Sequence, residues 1–169
     1  MTDTSPIEIF LSGTPGLEPV LRAEAAGLGF ANATAVPGGV TCDGGWPEVW
    51  RANLQLRGAG RVLARVARFR AMHLAQLDKR SRKVDWTGLL RADVPYRVEA
   101  TCRKSRIYHA GAATERVANA IADALGTKPV EKAALVVRVR IEDDLCEISL
   151  DTSEEPLHRR GFKQAVGKG

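Results

Sequence analysis

Along residues 1–70 the apolar spacing switches repeatedly between the period of a strand and that of a helix, and this succession limits the fold more than any other feature. Ile7-Glu8-Ile9-Phe10-Leu11 reads as a strand closed by Ser12-Gly13. Thr14 then fits a helix N-cap with Pro15 at the first helical position. Leu17, Val20, Leu21, Ala25 and Leu28 keep helical spacing until Gly29, a natural stop. Two short strands, residues 33–36 and 40–43, are joined by Pro37-Gly38-Gly39 as a tight turn. Trp46, Trp50 and Leu54 mark a second helix that closes near Gly58, and residues 61–69 alternate as a strand.

The order βαββαβ is that of a ferredoxin-like unit. A second unit starts near Ala71. Leu74, Leu77, Ser81 and Val84 share one helical arc, and Lys79, Arg80, Arg82 and Lys83 share the opposite one. Asp85-Trp86 caps a short turn running to Leu90, and residues 96–102 form a strand. Val117, Ile121 and Leu125 are the buried face of a helix ended by Gly126. Residues 135–141 and 145–150 form a hairpin across Glu142-Asp143-Asp144. This half reads ααβαββ. The expected architecture is α+β, with one unit at 1–70, another at 71–155, and a basic linker at 156–169.

Net charge is +5, from 25 Lys+Arg against 20 Asp+Glu, and the pI is about 9.4. Such a balance favours polyanionic partners. No stretch approaches the roughly 18 apolar residues of a membrane span, and Met1 to Pro6 lacks the features of a signal peptide. Cys42, Cys102 and Cys146 are odd in number, far apart and each in an expected strand, which fits buried reduced thiols. A cytoplasmic protein without membrane contact is expected.

The residues best suited to binding follow the strand that starts at Tyr96. Arg103, Lys104, Ser105, Arg106, Ile107, Tyr108 and His109 form a loop ahead of a helix expected to begin after Gly111. Cations, a hydroxyl and the positive end of a helix suit phosphates. Tyr108 or His109 suits stacking on an unpaired base. The plainer reading is a solvated loop with Ile107 and Tyr108 tucked into the core. A second basic group, His158, Arg159, Arg160 and Lys163, would extend the footprint or merely keep a linker soluble. Lys79, Arg80, Arg82 and Lys83 are weaker candidates, because charge runs are usually solvated faces.

Residues 161–168 resemble a phosphate loop, but with five residues between the glycines and Gly169 where Ser or Thr is needed. Arg160-Gly161-Phe162 begins like an RNA-recognition-motif signature and breaks at Lys163. Gly13-Thr14-Pro15-Gly16 has the form of a KH loop, yet reads better as turn chemistry. No nucleophile elbow, zinc-helix motif or dinucleotide fingerprint is present. His73, His109 and His158 lack metal-ligand spacing, and Asp151 and Glu154 are read as having no basic or nucleophilic companion for catalysis. No catalytic residue, cofactor or metal is expected in this chain.

The whole chain resembles the N-terminal part of the THUMP-domain RNA guanine methyltransferases, which modify the 2-amino group of guanine in large-subunit ribosomal RNA. The matching stretches are Pro15-Gly16-Leu17-Glu18, Asp85-Trp86, the 103–109 loop, the helix from Glu115 to Ile121, and residues 151–163. The resemblance implies a ferredoxin-like domain followed by a THUMP domain, together delivering RNA to a methyltransferase domain. That domain would bind S-adenosylmethionine and carry an Asn-Pro-Pro or Asp-Pro-Pro motif followed by an aromatic residue. No Asn-Pro or Asp-Pro step occurs here. The expected role is therefore an RNA-binding module, not itself an enzyme, that serves a methyltransferase domain outside this chain. Ribosomal RNA is the expected partner. The rivals are an adaptor presenting transfer RNA to a separate enzyme, and a protein-interaction module, which would show a large exposed apolar patch.

Overall fold

A computed structural model describes residues 6–153, 156 and 157. The basic candidates His158, Arg159, Arg160 and Lys163 lie outside them. Two compact units divide the chain. One comprises residues up to Ala64 together with those from Asp151 onward, and the other is Arg65–Leu150.

The first unit contains β1 (Ile7–Ser12), α1 (Glu18–Gly27), β2 (Ala31–Val36), β3 (Gly39–Gly44), α2 (Trp46–Gln55) and the start of β4 (Arg61–Arg70). Its strand order is β2-β3-β1-β4, with β1 antiparallel to β3 and β2 antiparallel to β3. That order, with two helices between the strands, is the ferredoxin-like arrangement expected. Val36 pairs with Gly39, so Pro37-Gly38 is a two-residue turn, and Gly38 takes the positive φ of 83° that such a turn demands. Gly39 is compelled as well, because a Cβ there would stand 2.1 Å from the Leu11 carbonyl oxygen.

One local expectation fails. α1 begins at Glu18, four residues after Thr14, and Leu17 takes the cap position. Residues 14–17 make a turn instead, with the Leu17 amide on the Thr14 carbonyl at 3.0 Å and Gly16 at φ 91°. The Glu18 carboxylate fixes it by accepting the amides of Gly16 at 2.7 Å and Gly38 at 3.1 Å. The apolar stripes of the two helices are buried only in part. α1 buries Leu21 and Ala25, while Leu17 and Val20 are exposed. α2 buries Val49 and Ala52, and leaves Trp50 55% and Leu54 77% exposed. Helical spacing identifies a stripe without saying what it faces, and in α2 the smaller residues take the buried side.

Asp151, Thr152, Ser153 and Leu157 close this unit. The Thr152 amide donates to the Val62 carbonyl at 3.1 Å, and the Ser153 hydroxyl donates to Asn53 Oδ1 at 2.6 Å while accepting the Val62 amide. Arg61 reaches Asp151 at 2.9 Å, and Leu157 joins the core. Asp151 thus has a basic partner 90 residues away.

The second unit continues β4 from Arg65 and adds α3 (Leu74–Ser81), α4 (Trp86–Leu89), β5 (Tyr96–Arg103), α5 (Ala110–Leu125), β6 (Leu135–Glu142) and β7 (Leu145–Asp151, its last residue in the first unit). The strand order is β4-β7-β6-β5. β5 and β6 are parallel, connected through α5, from Tyr96 opposite Leu135 to Arg103 opposite Glu142. Asp143 and Asp144, at φ 51° and 62°, make the β6–β7 turn, both left-handed as a type I′ hairpin requires. Asp85 caps α4 by accepting the Gly88 amide at 3.2 Å, and the buried Trp86 indole donates to the Ser81 carbonyl at 2.9 Å. Gly126 ends α5 at φ 70°. Cys42 and Cys146 are buried, but Cys102 is only half-buried, against the expectation of three buried thiols. No helix among the described residues is long and apolar enough to cross a membrane.

Candidate nucleic-acid interface

The loop after β5 is built by local chemistry that leaves its cations outward. Arg103 pairs with Glu142 at the end of the β5–β6 ladder, and Lys104 turns the chain at φ 46°. The Ser105 hydroxyl donates to the Arg103 carbonyl at 2.7 Å and accepts the Asp144 amide at 3.1 Å. Its proton and one lone pair are therefore used in shaping the loop. The Asp144 carboxylate accepts the Arg106 amide at 2.8 Å. Ile107, 4% exposed, anchors the segment, a burial worth about 2 kcal/mol.

His109 has a different part from the one its sequence position suggests. α5 starts at Ala110, ahead of Gly111, and His109 is its N-cap, with Nδ1 accepting the Ala112 amide at 3.0 Å. A ring nitrogen is an uncommon cap acceptor, so spacing alone does not reveal it. Gly111 leaves room for the imidazole, since a Cβ there would lie 3.1 Å from His109 Cε1. Tyr108 is not tucked into the core. Its side chain is 84% exposed, beside the positive end of α5.

Arg103, Lys104 and Arg106 are all exposed. Arg106 is 70% exposed, with Nε 3.8 Å from Asp144 and one terminal nitrogen 3.4 Å from Met72 Sδ. An ion pair so long and so open to water does little to neutralise the guanidinium. The loop therefore offers cations on a fixed backbone, a projecting aromatic ring and a helix start in one place. This can bind phosphates and stack a base.

The α3 candidates lie elsewhere. Met72, just before α3, touches Arg106, whereas Arg82, just after α3, reaches Asp123 near the end of α5 at 2.6 Å. Ala110 and Asp123 are separated along α5 by roughly 20 Å at 1.5 Å per residue. Arg82 also donates to Asp78 at 3.2 Å, and its hydrogen bonds to Asp123 first and Asp78 second raise its pKa. Two carboxylates around one guanidinium leave little attraction for a phosphate. Lys79, Arg80 and Lys83 are exposed at that same distant end.

Residues 8–63 match the family described as the RlmL ferredoxin-like domain. Over 94% of its length the chain is 30% identical to the ribosomal RNA large subunit methyltransferase K/L of Syntrophotalea carbinolica. Over 95% it is 34% identical to the protein of that name from Pseudomonas paraeruginosa. The chain spans 23% of the length of each. It is also similar to the crystal structure of a predicted N6-adenine-specific DNA methylase from Listeria monocytogenes. That match has a TM-score of 0.86 and 26% identity, covering 97% of this chain and 45% of that one.

Proposed function

We infer, from the match of residues 8–63 to the RlmL ferredoxin-like domain family, that this chain is the RNA-delivering part of a large-subunit ribosomal RNA methyltransferase. The second unit acts as a THUMP-type RNA-binding domain. Methyl transfer to the guanine 2-amino group, with S-adenosylmethionine as donor, belongs to the part of the relatives' length that this chain does not match. No catalytic step is assigned to the described residues.

The observation that carries this reading is the 103–109 loop. Its backbone is fixed by Asp144, Ile107 and the His109 cap, while Lys104, Arg106 and Tyr108 point to solvent. Phosphate contacts supply affinity and an exposed ring supplies preference for unpaired bases.

Fluorescence anisotropy of the chain with large-subunit ribosomal RNA hairpins, transfer RNA and duplex DNA, at two salt concentrations, tests it. Salt-sensitive binding that favours ribosomal hairpins is expected. Preference for transfer RNA would move the proposal to the adaptor role, and preference for duplex DNA would overturn it.

A protein-docking role for the first unit is favoured by one observation, the exposure of Val20, Trp50 and Leu54 on its two helices. If W50A/L54S abolishes association with a methyltransferase domain and leaves RNA affinity unchanged, the two roles reside in separate units.

A further inference from the structure

We propose that the arginine-bearing face of the second unit's sheet is a further phosphate-binding surface, along which an RNA backbone runs toward the 103–109 loop. The proposal rests on the RNA-binding reading above.

Strand alternation sorts the side chains. Val137, Val139, Ile141, Cys146 and Ile148 are buried on one side. Arg138, Arg140, Glu142 and Glu147 take the other parity. The β5–β6 register sets Glu99 opposite Arg138, Thr101 opposite Arg140 and Arg103 opposite Glu142. A depression lined by Arg70, Arg140, Glu142, Asp143, Leu145 and Glu147 brings β4, β6 and β7 onto this same face.

Arg140 is paired with Glu142, but at Glu99 and Glu147 the ion pairing is the reverse of that at Arg82. Glu99 is shared by Arg97 and Arg138, the latter at 2.9 Å. Glu147 is shared by Arg65 at 3.1 Å and Arg68 at 3.2 Å. In each triad one carboxylate holds two guanidinium planes in place. Fixed planar forks suit phosphate oxygens better than mobile ammonium groups do. The face is open to a ligand: the Arg68, Arg138 and Arg140 side chains are 45%, 34% and 55% exposed.

Direction follows from continuity. From Arg97 to Arg103 β5 rises by roughly 20 Å at about 3.3 Å per residue. Arg103 is both the last residue of this strand and the first of the loop. A polyanion laid on the face therefore arrives at Lys104, Arg106 and Tyr108.

The test compares R138Q/R140Q with K104A/R106A in the full chain, by RNA anisotropy across salt concentration. The sheet-face pair is expected to weaken binding by roughly tenfold and to reduce the salt slope by about two, one for each guanidinium removed from a phosphate. Unchanged affinity and slope in R138Q/R140Q, with K104A/R106A weakened, would overturn this surface and leave the loop's role standing. A wild-type chain that binds no RNA at low salt would overturn both. Because Arg138 partners Glu99, wild-type protein is also treated with phenylglyoxal with and without RNA. Protection of Arg138 and Arg140, but not of Arg91 (78% exposed and outside the track), supports the proposal even where the variant fails to fold. Equal modification with and without RNA, or protection by an acidic protein and not by RNA, refutes it.

Discussion

Asp144 holds Arg106 by its backbone and leaves its charge in water: the carboxylate accepts the Arg106 amide at 2.8 Å, while the guanidinium is 70% exposed. An acid in a basic loop would ordinarily weaken phosphate binding, and this geometry limits that loss. Asp144→Ala removes a charge-assisted hydrogen bond worth about 1.5–3 kcal/mol and puts alanine at a φ of 62°. Asn tolerates that φ and keeps an acceptor. Chemical denaturation should find D144A about 2–4 kcal/mol less stable, with D144N recovering more than half. Equal loss in both would mean that Asp144 acts through its charge alone.

Tyr108 and the loop cations should separate by salt. Tyr108→Ala removes an 84% exposed ring, so the melting temperature should not move. Binding of single-stranded RNA should weaken by about 1–3 kcal/mol with an unchanged salt slope, the mark of lost stacking. Lys104→Ala should do the opposite, lowering the slope by about one. A change of slope in Y108A would deny the ring its stacking role.

Glu18 ties the 14–17 turn to the β2–β3 turn, and this gives the first unit a signature at acid pH. Hydrogen bonds from its own amide first, then from Gly38 and Gly16, hold its pKa below the usual 4.5. The unfolded chain therefore takes up a proton first as pH falls. The stabilisation is complete above about 4.5, the unfolded value, and is lost as pH drops through the lower folded value. Wild type should melt above Glu18→Gln at pH 7, and the gap should close toward pH 3. A gap independent of pH would show that the carboxylate charge is irrelevant.

The buried thiols set the alkaline limit. Burial pushes Cys42 up to about 11 and Cys146 up to about 12. A folded pKa above the unfolded value stabilises below the unfolded pKa, and that contribution is lost as pH rises from about 9 toward 12. Thiolate is the reactive form, so a disulfide reagent at pH 8 should label Cys102 first and reach the other two only on unfolding. Rapid native labelling of Cys146 would contradict its burial.

The element order was legible because each strand and helix carries its own period and its own stop. Gly29, Gly126, Asp85 and the Asp143-Asp144 turn all act over a few residues, within reach of local reasoning. What escaped depends on contacts distant in sequence. The turn at residues 14–17 looks like a helix start until Gly38 reaches Glu18. Trp50 and Leu54 look like a core stripe until Val49 and Ala52 are found on the buried side. Within the loop, residue types pointed to exposed cations, but Asp144, 38 residues beyond Arg106, left no sign of its part. The His109 cap had a faint one: a helix of alanines with no Ser, Thr, Asp or Asn immediately ahead of it needs some other acceptor.

The bonds from Thr152, Ser153 and Leu157 back to Val62 and Gly60 carry a consequence for the order of events during synthesis. Residues 8–63 match the RlmL ferredoxin-like domain model, but the ribosome must add about ninety more before the segment that completes their core emerges. At about 5–20 residues per second, that is a wait on the order of 5 to 20 s. During this interval Val62 lacks its bonds to Thr152 and Ser153, and Leu157 has yet to join the core. The second unit has all of its own residues available first, so the later unit in sequence is the earlier one to mature.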